Sequence, residues 1–490
     1  MRAVYGPPFL TFGPHCLMLP SVLALLSAAG EGLQSTTDAV SQALVAVILI
    51  GVFVFLTLEA AHRVLVILGA VALMWLITYL TPYHLVSFEA SKEALDLNVL
   101  LLLAAMMATV GVLKTTGVFP WAVAQILRRA RGRPWVIQRS VAWFTGVVSA
   151  FADNVTTVVF VTPMAADMAR QTRVRPVVYL LPMVMASNIG GSATLIGDPP
   201  NIMIGSGAHL TFLDFIEDLT VPVIFMMIAL EWFSRWYYRN DLAQTAGVAT
   251  AFDEPVIQNR PLLRYALAIT AGIFIGFFTH GLTGMPVAVP ALIGAALILI
   301  IQDVIYLRTN RPSEEERSHG LIEVIENEIE WPTLSFFAFL FIAVGAAVET
   351  GLIDRMAQGL IWTVEAGQRG FGLGEAGTLL FAALMICWVS AVCSSLIDNI
   401  PFVAVAIPLV SRLTAELPGD TAVLWWALAL GACLGGNGTV IGASANVILI
   451  AMADREGHRI SFMAYLRYGL PITIGTMLIA SAYVWLRYLL

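Results

Sequence analysis

Ser149-Ala-Phe-Ala-Asp153-Asn154-Val-Thr156-Thr157 returns 245 residues later as Ser394-Ser-Leu-Ile-Asp398-Asn399-Ile-Pro-Phe402. Each copy sets an aspartate and an asparagine inside apolar sequence. At the same 245-residue spacing, Gly190-Gly191-Ser-Ala-Thr194-Leu-Ile-Gly197-Asp198-Pro-Pro-Asn201 matches Gly435-Gly436-Asn437-Gly-Thr439-Val-Ile-Gly442-Ala443-Ser-Ala-Asn446. Trp143 and Trp388 match as well, as do Pro163 and Pro408. Gly111 to Gly117 resembles Gly345 to Gly351 at a shorter spacing of 234, so the loops between the matched blocks differ in length. A duplicated fold with polar, Gly-rich breaks in its hydrophobic segments is the pattern of a secondary transporter.

Composition sets the solvent. The chain is 59% hydrophobic and 12% charged, with a mean hydropathy of +0.83, whereas a soluble domain carries about 25% charged residues. Apolar stretches long enough to span a bilayer recur from residue 42 onward. No basic stripe suggests nucleic acid, and no P-loop is present, the only lysines being Lys92 and Lys114. Cys16, Cys387, Cys393 and Cys433 show neither a disulfide framework nor zinc spacing. The apolar run from Cys16 to Ala29 behind Arg2 reads equally as a secretory signal or as a short extra helix. The expected organisation is an N-terminal segment 1–40, a first transmembrane repeat 41–240, a cytoplasmic linker 241–263 and an inverted second repeat 264–490.

Spans are expected at about 42–60, 64–80, 97–115, 176–205 (interrupted) and 221–238, then at 264–282, 286–303, 333–350, 423–452 (interrupted) and 467–487. The segment 140–168 is too short for two crossings, and a single crossing would strand Asp153 at mid-depth. Arg128, Arg129, Arg131, Arg133 and Arg139 precede it, and Arg170, Arg173 and Arg175 follow, which puts both ends on the cytoplasmic side. It therefore reads as a re-entrant hairpin with Asp153-Asn154 at its tip. Threading the remaining spans brings the second hairpin, about 378–409, in from the opposite face. The expected fold is an all-α polytopic membrane protein with an inverted-topology repeat: about ten transmembrane helices, two re-entrant hairpins and broken helices.

A carboxylate at the bilayer centre costs at least ~3 kcal/mol, so Asp153 and Asp398 need a cation, a proton, water or a donor. Asp153, Asn154 and Thr156 offer the hard oxygens that suit Na⁺ or a titrating proton. The alternative is that each aspartate caps the return helix of its hairpin. The glycines and Pro199-Pro200 should unwind the interrupted spans and turn freed carbonyls toward the tips, although small residues also serve close helix packing. Site 1 is expected to comprise Asp153, Asn154, Thr156, Asn188, Gly190, Gly191, Thr194 and Asn201. Site 2 is expected to comprise Asp398, Asn399, Gly435, Gly436, Asn437, Thr439 and Asn446, with transient Na⁺ at Asp153 and Asp398. Asp198 has no counterpart, Ala443 standing in its place, and reads as a partner of Lys114 or as a helix cap. Cys387, Cys393 and Cys433 read as small packing residues rather than as a thiolate set. No Arg or Lys stands within either hairpin or either interrupted span, which favours a neutral or cationic cargo over an anion.

These stretches resemble the ion transporter superfamily, within it the ArsB/NhaD permease group and its pink-eyed-dilution (P protein) branch. Ser149 to Thr157 and Asn188 to Asn201 look like that branch's first half; Trp388 to Pro408, Gly431 to Asn446 and Ser461 to Arg467 look like its second. The resemblance implies a scaffold part and a mobile part in each half, alternating access and a homodimer in the inner membrane of a prokaryote. It implies no cofactor beyond a coupling Na⁺ or H⁺. The implied cargo is a small inorganic ion: arsenite or antimonite driven by membrane potential or a proton gradient, alone or with a separate ATPase subunit. Na⁺/H⁺ antiport is one alternative, and a carboxylate permease or anion channel another. Carboxylate-transporting relatives carry Ser-Asn-Thr at their hairpin tips, and the acidic tips here depart from that pattern.

Overall fold

The computed structural model describes residues 20–58, 61–243, 257–310, 324–326 and 328–489. The first half contains α1 (Pro20–Thr57), α2 (Arg63–Leu80), α3 (Phe88–Glu93), α4 (Leu97–Thr115), α5 (Val118–Ala130), α6 (Pro134–Ser149), α7 (Asn154–Thr172), α8 (Val177–Gly191), α9 (Pro199–Ala208), α10 (Phe212–Tyr237) and α11 (Arg239–Leu242). The second contains α12 (Arg260–Thr283), α13 (Ala288–Asn310), α14 (Trp331–Glu349), α15 (Leu352–Phe371), α16 (Glu375–Leu396), α17 (Asn399–Glu416), α18 (Ala422–Gly435), α19 (Ser444–Arg455) and α20 (Phe462–Leu489). Setting aside the short α3 and α11, the halves correspond helix for helix. The chain is an all-α multi-pass membrane protein. Among the described residues, eight helices are long and apolar enough to cross a membrane.

Packing is reciprocal between the halves. α4 lies on α13 and α14 on α2; α7 lies on α19 and α17 on α9. Within each half, the first hairpin arm packs along the first piece of the broken span, α6 on α8 and α16 on α18. Glycine permits that approach. A methyl on Gly190 would overlap the Gly146 backbone, and one on Gly435 would overlap the backbone of Ala391. These two glycines, expected to unwind their spans, are still helical and serve close packing. The unwound links are residues 192–198 and 436–443.

The structure revises several boundaries. The hairpin arms are longer than their apolar cores: α6 and α7 reach from Pro134 to Thr172, and α16 and α17 from Glu375 to Glu416. At 22 residues, α16 is itself of spanning length. Arg139, Arg170 and Arg412 decorate the arm ends, which is why counting apolar residues stopped short. Helix α13 runs on to Asn310. Residues 20–40 are continuous with the first span inside α1, and the apolar run's start at Cys16 lies outside the described residues.

The amphipathic α5 and α15 were not anticipated. Each starts after a matched glycine, Gly117 or Gly351, held at φ +77° and +73°, the left-handed backbone that glycine adopts without steric cost. Each leads into a hairpin and packs on its return arm, α5 on α7 and α15 on α17.

Candidate functional site

Both tip aspartates are helix N-caps. Asp153 accepts from the Thr156 amide and the Thr156 hydroxyl, each at 2.9 Å, and so fixes the start of α7. Asp398 accepts from the Ile400 amide at 3.2 Å and from the Ser444 hydroxyl at 2.6 Å. The second contact ties the tip of hairpin 2 to the start of α19. Capping supplies donors to these half-buried carboxylates, so the alternative reading of these residues is met in the structure.

The tips meet on a third carboxylate. Asn154 donates to one Asp198 oxygen and Asn399 to the other, both at 3.2 Å. One asparagine comes from each hairpin. Asp198 is 1% exposed. It occupies the N-cap position of α9 yet makes no capping hydrogen bond there; its partners are the two tip amides and the buried Cys433 thiol. Pairing with Lys114 is excluded, because that amine holds both Glu328 carboxylate oxygens at 2.9 Å. Asp198 is the acid without a repeat partner. The available signal was a lone aspartate in a broken apolar span.

A chain of amides extends from this carboxylate through Asn154. Asn188 accepts from Asn154 at 3.4 Å and donates to Asn437 at 2.9 Å and to Asn446 at 3.0 Å. At the repeat-equivalent position, the Cys433 thiol donates to Asn201 at 3.4 Å. Positions 188 and 433 therefore each reach across to the asparagine of the opposite half. Asn437 is fully buried and its amide nitrogen has no partner among the described residues, which makes it a ready donor to a water or a substrate oxygen.

The carbonyls of the two links are largely occupied by the chain itself. Asn201 donates to the Thr194 carbonyl at 2.9 Å, and Asn446 to the Gly436 carbonyl at 2.7 Å and the Thr439 carbonyl at 3.1 Å. The Thr194 hydroxyl donates to the Ala150 carbonyl, and the Thr439 hydroxyl to that of Ser395 at 2.5 Å. Thr194 and Thr439 thus pin each break against its own hairpin, while Asn201 and Asn446 hold the break onto itself. Gly191 and Gly436 lie at the start of the breaks, in contact with Gly197 and Gly442. The structure gathers Asn154, Asn188, Asn399, Asn437 and Asn446 into one network, with Asp153 and Asp398 beside it.

The two sides of this centre differ. Asp398 lines a 290 Å³ cavity together with His62, Arg63, Phe336 and Ser444. Arg63 donates to the Ser444 hydroxyl at 3.1 Å and to the Thr333 hydroxyl at 2.9 Å. A guanidinium from α2 therefore stands one hydroxyl away from Asp398. Asp153 instead borders a mostly apolar space of only 20 Å³, walled by Leu103, Met106, Met107 and Val110.

Opposed hairpins, broken spans and a polar centre inside an apolar helix bundle define a membrane transporter. The chain belongs to the CitMHS citrate transporter family, whose model matches residues 44–431. A protein named as an uncharacterized transporter in Mycobacterium tuberculosis is 35% identical over 90% of this chain and 97% of its own length. The human P protein is 29% identical over 89% of this chain, which spans 59% of that longer protein. The YdaH transporter of Alcanivorax borkumensis shares the fold, with a TM-score of 0.59 and 16% identity, covering 87% of this chain and 99% of that one.

Proposed function

We propose that this transporter exchanges small ions across the bacterial inner membrane, coupled to H⁺ or Na⁺ at the Asp198 carboxylate. The observation that carries the proposal is the double donation from Asn154 and Asn399. A carboxylate that accepts an amide from each of two opposed hairpins, with the Cys433 thiol as its other partner, changes its grip on both hairpins when it takes up a cation. Occupancy at the centre thereby becomes hairpin position, which alternating access requires. Asp153 and Asp398 add negative charge on either side. No Lys or Arg among the described residues hydrogen-bonds to the amide network, so cationic or neutral cargo suits the centre better than an anion. In this reading the Asp398 cavity is the open side and the Asp153 side is closed.

Export of arsenite, the cargo implied by the resemblance, is a neutral-solute form of the same cycle. A second reading, uptake of a citrate-like anion, draws on the family's description and on Arg63 in the cavity facing Asp398. Liposomes carrying the purified protein and an internal pH dye, challenged separately with Na⁺, Li⁺, arsenite and citrate, distinguish the readings. Proton movement driven by Na⁺ or Li⁺ is expected. Proton movement with citrate alone would overturn cation exchange in favour of the second reading.

A further inference from the structure

Remote from the centre, the basic corner where α6 begins and α10 ends has its own chemistry. The guanidinium carbons of Arg139 and Arg235 lie 4.9 and 4.7 Å from the centroid of one indole, Trp135. Among the described residues, Glu231 is the one carboxylate within ion-pair distance of either. It stands 3.7 Å from Arg139, and its other oxygen already accepts from the Trp143 indole at 2.9 Å. Among the described residues, Arg235 has no carboxylate within ion-pair distance. Two like charges gathered on one ring and served by one loosely paired acid favour a further anion. Trp232 and Trp236, 75% and 61% exposed, flank a 410 Å³ cleft lined by Arg235 and Glu231, and such aromatic side chains sit at headgroup depth.

An apolar groove begins at Trp143, about one helical turn beyond Arg139. It holds 360 Å³ between α6 and α10, lined by Trp143, Val147, Ala150, Val223, Ile224 and Met227, and it reaches Thr194 beside hairpin 1. Val221, Ile224, Phe225, Ile228 and Trp232 form an exposed stripe along α10 that ends next to Arg235. From Arg139 to Ala150 the helix rises about 16 Å, a length suited to an acyl chain. Charge at one end and a grooved apolar length behind it match the shape of a lipid.

We propose that this corner binds one anionic phospholipid of the surrounding bilayer, its phosphate on Arg139 and Arg235 and one acyl chain in the groove against hairpin 1. Basic residues at a membrane surface contribute about 1 kcal/mol each toward anionic lipid, so removing both corresponds to about 30-fold in affinity. The test is native mass spectrometry of the detergent-purified full chain titrated with phosphatidylglycerol, phosphatidylcholine and inorganic phosphate. Phosphatidylglycerol should be retained over phosphatidylcholine. The double variant Arg139→Gln/Arg235→Gln should lose that preference by about 30-fold, and Val147→Trp, which fills the groove, should weaken retention of both lipids. Equal retention of the two lipids by the unaltered protein would overturn the proposal. So would a double variant that keeps phosphatidylglycerol, or displacement of the lipid by inorganic phosphate, which would leave a free-anion site instead.

Discussion

Replacing Asp198 separates the charge at the centre from its shape. Asp198→Ala removes the acceptor for two buried amides, each at 3.2 Å. Asn154 keeps its 3.4 Å bond to Asn188, whereas Asn399 loses its side-chain acceptor. Hydrogen bonds to a charged group contribute about 1.5 kcal/mol each at the low end, where such long contacts belong, and the membrane-protein average is about 0.6. Losing both therefore costs about 1.2–3 kcal/mol, which shifts docking of the hairpins on the broken span by roughly 7- to 150-fold. Asp198→Asn keeps the shape and one acceptor, so it costs about half as much. Melting of the purified variants should fall in the order unaltered, Asn, Ala. In pH-dye liposomes both variants should lose ion-driven proton movement, because neither carries a carboxylate. An Asp198→Asn protein exchanging at the unaltered rate, or an Asp198→Ala protein melting with the unaltered one, would refute the reasoning.

Asn caps helices as well as Asp does, so Asp153→Asn and Asp398→Asn should fold at full yield yet lose coupled flux; full flux in either variant would reduce that aspartate to a cap. Gly190→Val and Gly435→Val drive a side chain into backbone that cannot yield, and both should abolish the monodisperse peak in fluorescence-detected size-exclusion chromatography. Gly272→Ala, which meets open space, should leave that peak unchanged. Arg63→Gln removes a positive charge one hydroxyl from Asp398. Even in water-like dielectric this is worth about 1 kcal/mol, so the KM for the driving cation should fall about fivefold; an unchanged KM would remove Arg63 from the electrostatics of the site.

Much of this arrangement is legible in the amino-acid order because the chain states it twice. Asp153 and Asp398, Thr194 and Thr439, and Asn201 and Asn446 recur at one spacing and occupy equivalent positions in the fold. What escaped is what does not repeat or is not apolar. Asp198 faces Ala443 in the repeat, so the residue joining the two hairpins had no partner to flag it. The amphipathic α5 and α15 carry too many charges to register as spans, although the glycines that start them had been matched. Arg63 reaches Ser444 across 381 residues of sequence, a contact that only tertiary packing creates. The glycines of the breaks read both as unwinding and as close-packing residues, and Gly190 and Gly435 matter for lacking a side chain.

Opposed entry of the two hairpins is the premise on which coupling through Asp198 rests. Single cysteines at positions 133 and 173, at the arm ends of hairpin 1, and at 374 and 418, at those of hairpin 2, can be introduced into a protein whose four native cysteines have been replaced. An impermeant maleimide applied to intact spheroplasts and to inverted vesicles then reads the face of each. The account predicts 133 and 173 labelled from the cytoplasmic face only, and 374 and 418 from the opposite face only. Labelling of all four from one face, or of the two ends of either hairpin from different faces, would contradict it.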